Sequence, residues 1–119
     1  MKHKHPEKII QSRIHSALRA LGYISFPIPN RGLYNPITHR YNIQNDPWQI
    51  PGIPDVVVIL PEARVLWVEV KSEAGIQSPH QIHMADALQE RGHHYLLARS
   101  VKDVLEWLKT HGYKSGEVA

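Results

Sequence analysis

Gly52-Ile53-Pro54-Asp55-Val56-Val57-Val58-Ile59-Leu60, the connection Pro61-Glu62-Ala63-Arg64, and Val65-Leu66-Trp67-Val68-Glu69-Val70-Lys71 form the stretch whose reading decides the fold. Two apolar, β-branched runs flank a four-residue connection containing a proline, which predicts a β-hairpin. Side chains alternate along a strand, so Glu69 and Lys71 share one face while Leu66, Val68 and Val70 line the other. Asp55 starts the first strand, on the face of Val57 and Ile59. A turn that closes with Leu60 opposite Arg64 places Asp55 opposite Glu69, with Cβ atoms roughly 4.5–5.5 Å apart. Two carboxylates and an ammonium then converge at one end of an otherwise apolar hairpin.

Adjacent carboxylates repel, and burial raises the cost. A divalent cation removes the conflict. Mg²⁺ takes hard oxygen ligands and needs only one or two protein carboxylates, keeping several waters. An ion pair of Lys71 with Glu69 or Asp55 at a solvated strand end fits the same spacing, because structural charge pairs are common. Spacing alone leaves both readings open.

The 119 residues suffice for one domain with one modest core. Hydrophobic residues make up 42%, which fits a globular class. Fourteen Lys+Arg against eleven Asp+Glu give a net charge of +3, compatible with a polyanionic partner. The absence of cysteine excludes disulfides and thiolate zinc sites. No apolar run approaches the roughly 20 residues of a membrane span. Met1-Lys2-His3-Lys4-His5 lacks the apolar region of a signal peptide, so a cytoplasmic location is expected. The nine histidines raise a zinc or metal-storage alternative, in which metal affinity would depend on His80 and His93 rather than Asp55. None of them forms an H-E-x-x-H set.

Residues 1–5 read as a flexible basic arm. Pro6 suits a first helical turn, and Ile10, Ile14, Ala17, Leu18 and Leu21 follow at helical spacing, with Gly22 placed to end the helix. Glu7, Gln11 and His15 make a neighbouring polar stripe. Tyr23 to Ile28 reads as a short strand whose Pro27 argues for an edge. Residues 29–51 show turn formers without sustained period and read as a long loop, functional by its length. Its Arg31, Tyr34, Arg40, Tyr41 and Trp48 interleave guanidiniums with aromatics, a composition suited to phosphate contact and base stacking, or to packing on a second subunit. After a loop at 72–77, Ser78-Pro79-His80-Gln81 is a capping box opening a helix that ends at Gly92. A strand over 93–98 follows, then a helix capped by Ser100, and residues 113–119 read as a flexible tail. The intervening helix makes a right-handed crossover, so the last strand runs parallel to its neighbour. The class is α/β.

Pro54-Asp55, an apolar interval and Glu69-Val70-Lys71 resemble the PD-(D/E)xK nuclease signature. Within that superfamily the chain resembles the VRR-NUC family of replication–repair nucleases. The resemblance extends over Glu7 with Gln11, Gly52-Ile53-Pro54-Asp55, Glu69-Val70-Lys71, Ser78-Pro79-His80-Gln81 and Ala98-Arg99-Ser100-Val101, in that order across roughly residues 6–109. At His80 many relatives carry an acidic residue. The resemblance implies a restriction-endonuclease-like core over residues 6–112, with a mixed central sheet flanked by helices. It implies a Mg²⁺- or Mn²⁺-dependent endodeoxyribonuclease acting in replication, repair or recombination. Asp55 and Glu69 would hold the metal, joined by the Val70 carbonyl and by Glu7. Lys71 and Gln81 would serve the attacking water or the phosphate. Gln11, Arg31, Tyr34 and Arg40 are expected to contact nucleic acid. Small stand-alone relatives act as homodimers on four-way junctions, so branched DNA and a homodimer are the expected partners. A catalytically inactive nucleic-acid-binding module is the alternative, against which the intact Asp55, Glu69 and Lys71 argue.

Overall fold

The computed structural model describes residues 6–29, 33–35, 40–42, 48 and 50–116; for 33–35 and 40–42 it describes the backbone. The elements run α1 (Pro6–Ala20), β1 (Ile24–Pro27), β2 (Leu33–Asn35), β3 (Arg40–Asn42), β4 (Val56–Leu60), β5 (Arg64–Val70), α2 (Pro79–Glu90), β6 (His94–Ala98) and α3 (Val101–Thr110). A four-stranded sheet has the order β1-β4-β5-β6. Its first two pairings are antiparallel and β5–β6 is parallel, so the sheet is mixed. The predicted crossover through α2 is what makes it so.

The hairpin register is the expected one: Leu60 pairs with Arg64, and the ladder continues to Val56 opposite Val68. Strand periodicity then divides the apolar residues between two faces. Val56, Val58, Leu60, Leu66, Val68, Val70 and Ala98 join Ile14 and Leu18 of α1 and Val104 and Leu108 of α3 in one core. The opposite face takes α2, through Ala85 and Leu88. That helix lies against β6, and on the β1–β4 half of the face Val57 is buried while, among the described residues, Ile24 is left 66% exposed, Phe26 43% and Ile59 39%. β1 is an edge strand, where Pro27 is tolerated because the ladder needs no N–H from it on the outer side.

Two expectations are corrected. The segment 29–51, expected as loop throughout, contains β2 and β3, which pair antiparallel with Leu33 opposite Asn42 and Asn35 opposite Arg40. Residues 113–116, expected in a flexible tail, are docked. The Tyr113 amide donates to the Leu108 carbonyl at 2.8 Å, the Tyr23 hydroxyl donates to the Lys114 carbonyl, and Ser115 is buried. Tyr113 lies nearly parallel to Trp107, which offers it apolar area a solvated tail would lack.

Candidate active site

The hairpin brings its charged residues to one end of the sheet. Asp55 immediately precedes β4; its amide donates to the Val68 carbonyl at 3.1 Å, and its Oδ2 accepts from the Val70 amide at 2.8 Å. N–H and C=O of one strand residue point the same way, so the Val70 carbonyl faces the Asp55 edge too. Glu69 is 1% exposed. Its Oε2 accepts from the Gln81 amide at 3.3 Å, while Oε1 is buried with no hydrogen-bond partner among the described residues. Burial, then the neighbouring Asp55 carboxyl, push Glu69 up to about 9, against an opposing pull from Lys71. Without a counter-charge the group is protonated at neutral pH.

Gln81 makes two kinds of contact. Its backbone amide donates to the Ser78 hydroxyl and its Oε1 accepts from the Ser78 amide at 2.9 Å, completing the capping box. That fixes the side chain so that its Nε2 is left for Glu69. The helix start is itself seated against Gly52, whose φ of +79° suits glycine and whose missing Cβ leaves room for the His80 carbonyl.

Lys71 follows β5, its amide held by the Ala98 carbonyl at 3.0 Å. The loop after it folds back at Gly75, where an added Cβ would lie 3.2 Å from Ser72 Oγ, 3.3 Å from Glu7 Oε1 and 3.4 Å from Lys71 Cδ. Glu7 is thus beside Lys71, on the flank of the Asp55–Glu69 pair. Among the described residues, no three His, Cys, Asp or Glu side chains stand together as a ready-made metal cage. Asp55, Glu69 and the edge of Val70 come together, and Glu7, beside Lys71, is near enough for its charge to add to the upward push on Glu69. The donors fit a hard divalent cation, because Glu69 Oε1, without a donor among the described residues, and the adjacent Asp55 carboxyl are hard oxygen ligands whose mutual repulsion a divalent charge would offset.

A cleft of about 710 Å³ leads along α1 to Asp55, lined by Lys8, Gln11, His15 and Arg19 among others. Gln11 and Asp55 thus line the same cleft. At the cleft, His15 Nδ1 is 2.8 Å from the Ser25 hydroxyl and Arg19 donates to the Ser25 carbonyl at 3.0 Å. Burial, then Arg19, hold the imidazole below its usual range. Arg31 lies outside the described residues; Tyr34 and Arg40 have their backbones in β2 and β3.

Two further residues around the site gain their contacts only in the folded chain. Tyr95, on the strand beside Glu69, accepts from Gln77 Nε2 at 2.7 Å and is pushed up to about 12 by burial, then by Glu69. Arg99 Nη1 lies 2.6 Å from the Ser72 and Gly75 carbonyls and 3.3 Å from that of Glu73. Its own amide donates to Asp103 Oδ2 at 2.9 Å. Arg99 thereby staples the loop after Lys71 to the start of α3. It stands in the Ala98-Arg99-Ser100-Val101 run, the one place where sequence pointed near it.

No family model and no curated protein matches the chain. Among solved structures the chain is similar to one titled "VRR_NUC domain", at 27% identity and a TM-score of 0.62, over 91% of this chain and 98% of that one. The likeness supports the resemblance carried by the motifs: the mixed four-stranded sheet with its three helices matches the fold of that VRR_NUC domain, restriction-endonuclease-like at its core. Among the described residues no helix is long and apolar enough to cross a membrane.

Proposed function

We propose that the protein is a divalent-metal-dependent endonuclease that hydrolyses DNA phosphodiesters. The observation that carries this is the placement of Asp55, Glu69, Lys71 and Gln81 at one end of the sheet, with Glu69 buried and one of its oxygens unpartnered. Asp55, Glu69 and the Val70 carbonyl would hold Mg²⁺ or Mn²⁺, with Glu7 supplementing them from its flanking position. A bound cation of this kind supplies positive charge to the scissile phosphate and makes a coordinated water more acidic.

The chain's own groups do the rest. As an ammonium Lys71 orients the attacking water and balances the charge that grows on the phosphate, and as the neutral amine it can take that water's proton. Gln81, its carbonyl committed to the helix cap, keeps an amide beside Glu69 and holds that carboxylate in place. Lys8, Gln11 and Arg19 line the cleft along which the substrate strand enters, where cations contact phosphates without reading bases. Arg31, Tyr34 and Arg40 add further DNA contacts.

The working unit is a homodimer, and branched DNA, four-way junctions included, is the preferred substrate. One small domain offers one site, whereas a junction requires paired incisions. The uncovered apolar half-face of Ile24, Phe26 and Ile59 gives a second copy a surface to bury. The test is cleavage of a panel of junctions, flaps, single strands and duplexes. Activity is expected with Mg²⁺ or Mn²⁺, lost in EDTA and absent with Ca²⁺, whose looser coordination positions water poorly. Full activity in chelator refutes the reading, and a monomer mass by light scattering with and without DNA refutes the dimer.

A further inference from the structure

The end of the sheet opposite the carboxylates carries a second basic cleft. There the β4–β5 turn meets the connection from α2 to β6, leaving a space of about 480 Å³ between Ala63-Arg64-Val65 and Arg91-Gly92-His93-His94. Two guanidiniums and two imidazoles line it, and among the described residues no carboxylate does. The Trp67 indole donates to His93 Nδ1 at 3.1 Å. An indole nitrogen can only donate, so Nδ1 is the acceptor and the neutral imidazole carries its hydrogen on Nε2. His93 is therefore set as a donor at its free nitrogen.

Both guanidiniums keep donors to spare. Arg91 spends an N–H on the Ala87 carbonyl at 2.9 Å, and Arg64 reaches the Tyr113 hydroxyl at 3.4 Å. Each has five N–H groups. Glu62 faces Arg64 at 3.8 Å, but both side chains are more than half exposed, and such pairs contribute little. An aromatic ledge adjoins the cleft through His94. Trp107 and His111 stack with ring centres 3.9 Å apart, and His94 meets Trp107 edge-on at 5.1 Å. Guanidiniums beside partly exposed aromatic rings suit a nucleic-acid strand.

We infer that this cleft binds a backbone phosphate of the DNA, at a distance from the bond that is cut. Seven residues of extended chain separate Arg64 from Lys71, roughly 23 Å at strand spacing. That corresponds to about seven nucleotide steps of a duplex strand, or to a neighbouring arm of a branched molecule. The inference rests on the nuclease reading for its ligand, DNA, and not for its geometry.

The test is binding of a fluorescent duplex and a junction to the full chain in EDTA, across a salt series. Each lost phosphate contact lowers the slope of log affinity against log salt by about 0.9 and the affinity at 0.1 M salt by about tenfold. Arg64→Gln with Arg91→Gln is expected to lower the slope by roughly 1–2, and Glu62→Gln to raise affinity. Lys102→Gln, on an exposed α3 lysine facing Glu106, is expected to leave the slope in place. An unchanged slope in the double variant overturns the inference, as does an equal loss in Lys102→Gln, which would mean generic surface charge. Inorganic phosphate and a duplex are compared by the imidazole resonances of His93 and His94. If phosphate shifts them and duplex does not, the cleft takes free anions and the inference fails. Melting temperatures control for folding. A chain that shows the slope change yet never cleaves refutes the nuclease reading and supports this site; one that cleaves with an unchanged slope refutes this site alone.

Discussion

Gly52 and His80 meet backbone to backbone: a Cβ on Gly52 would fall within the van der Waals radius of the His80 carbonyl and 2.8 Å from the Gln81 amide. The segment leading to Asp55 is thus in direct register with the helix that carries Gln81. Gly52→Ala must push the two apart and also strain a positive φ, at a cost of roughly 1–3 kcal/mol. A drop in melting temperature together with a fall in turnover is expected. A variant as active and as stable as wild type would show that this seat is dispensable.

Lys71→Ala separates rate from binding. Its ammonium acts on charge that develops during attack, so its loss falls on turnover, by about 10²–10³. DNA affinity stays close to wild type. Asp55→Ala is expected to do at least as much and to abolish metal binding, read by calorimetry. Near wild-type cleavage by a folded Lys71→Ala protein removes the catalytic reading of the hairpin.

Glu69 makes a pH prediction. Its carboxyl is raised to about 9 in the native state from an ordinary 4.5. Between those values the folded protein holds a proton the unfolded chain has released, so stability is full below the lower value and is lost as pH rises through the window. In chelator the melting temperature should fall from about pH 6 to about pH 9. Glu69→Gln, neutral throughout, should flatten that fall and be the more stable protein at the alkaline end. A wild-type melting temperature that rises over this range contradicts the raised carboxyl.

Arg99 holds three carbonyls of the loop after Lys71, those of Ser72, Glu73 and Gly75. Released, that loop lets Gly75 move from Glu7 and Lys71. Arg99→Ala should lower turnover by up to roughly 10², since displacements of an ångström have that effect, with DNA affinity retained. Arg99→Lys should recover part of the loss, because an ammonium also has three donors. Equal rates in the alanine and lysine variants would leave the guanidinium without a positioning role.

The β4–β5 turn offers a stabilising change. Glu62 and Ala63 both adopt positive φ, at 63° and 59°. Ala63→Gly relieves the Cβ clash of that conformation and should raise stability by roughly 0.5–1 kcal/mol, read as a melting temperature a few degrees higher. A lower melting temperature would show that the unfolded chain's extra freedom outweighs the relief.

The hairpin, its register and the crossover were legible because each is announced locally. Alternation fixes faces, a short connection fixes Leu60 against Arg64, and a capping residue marks where α2 begins. The convergence of Asp55 and Glu69 followed from counting along two strands. What stayed hidden depends on distant partners or on backbone. Arg99 contacts carbonyls about 25 positions away, and a carbonyl has no letter of its own. The close approach of Gly52 to the start of α2 is a backbone contact, which a sequence does not spell out. β2 and β3 are three residues each, too short for any period to emerge among Asn and Pro neighbours. Tyr113 read as tail because the ring that holds it, Trp107, belongs to another element.

The three-residue turn between β4 and β5 has a consequence for the order of assembly. Strands joined so closely zip together in about 1–10 μs, before long-range contacts can form. β6 must instead wait for the whole crossover. Asp55 and Glu69 therefore meet while both are still hydrated, when their repulsion is weak, and Glu69 is dehydrated only as α2 and β6 dock. High φ-values in the turn and low ones at the β5–β6 pairing would trace that sequence; the reverse pattern would mean that the acids are brought together inside a core already closed.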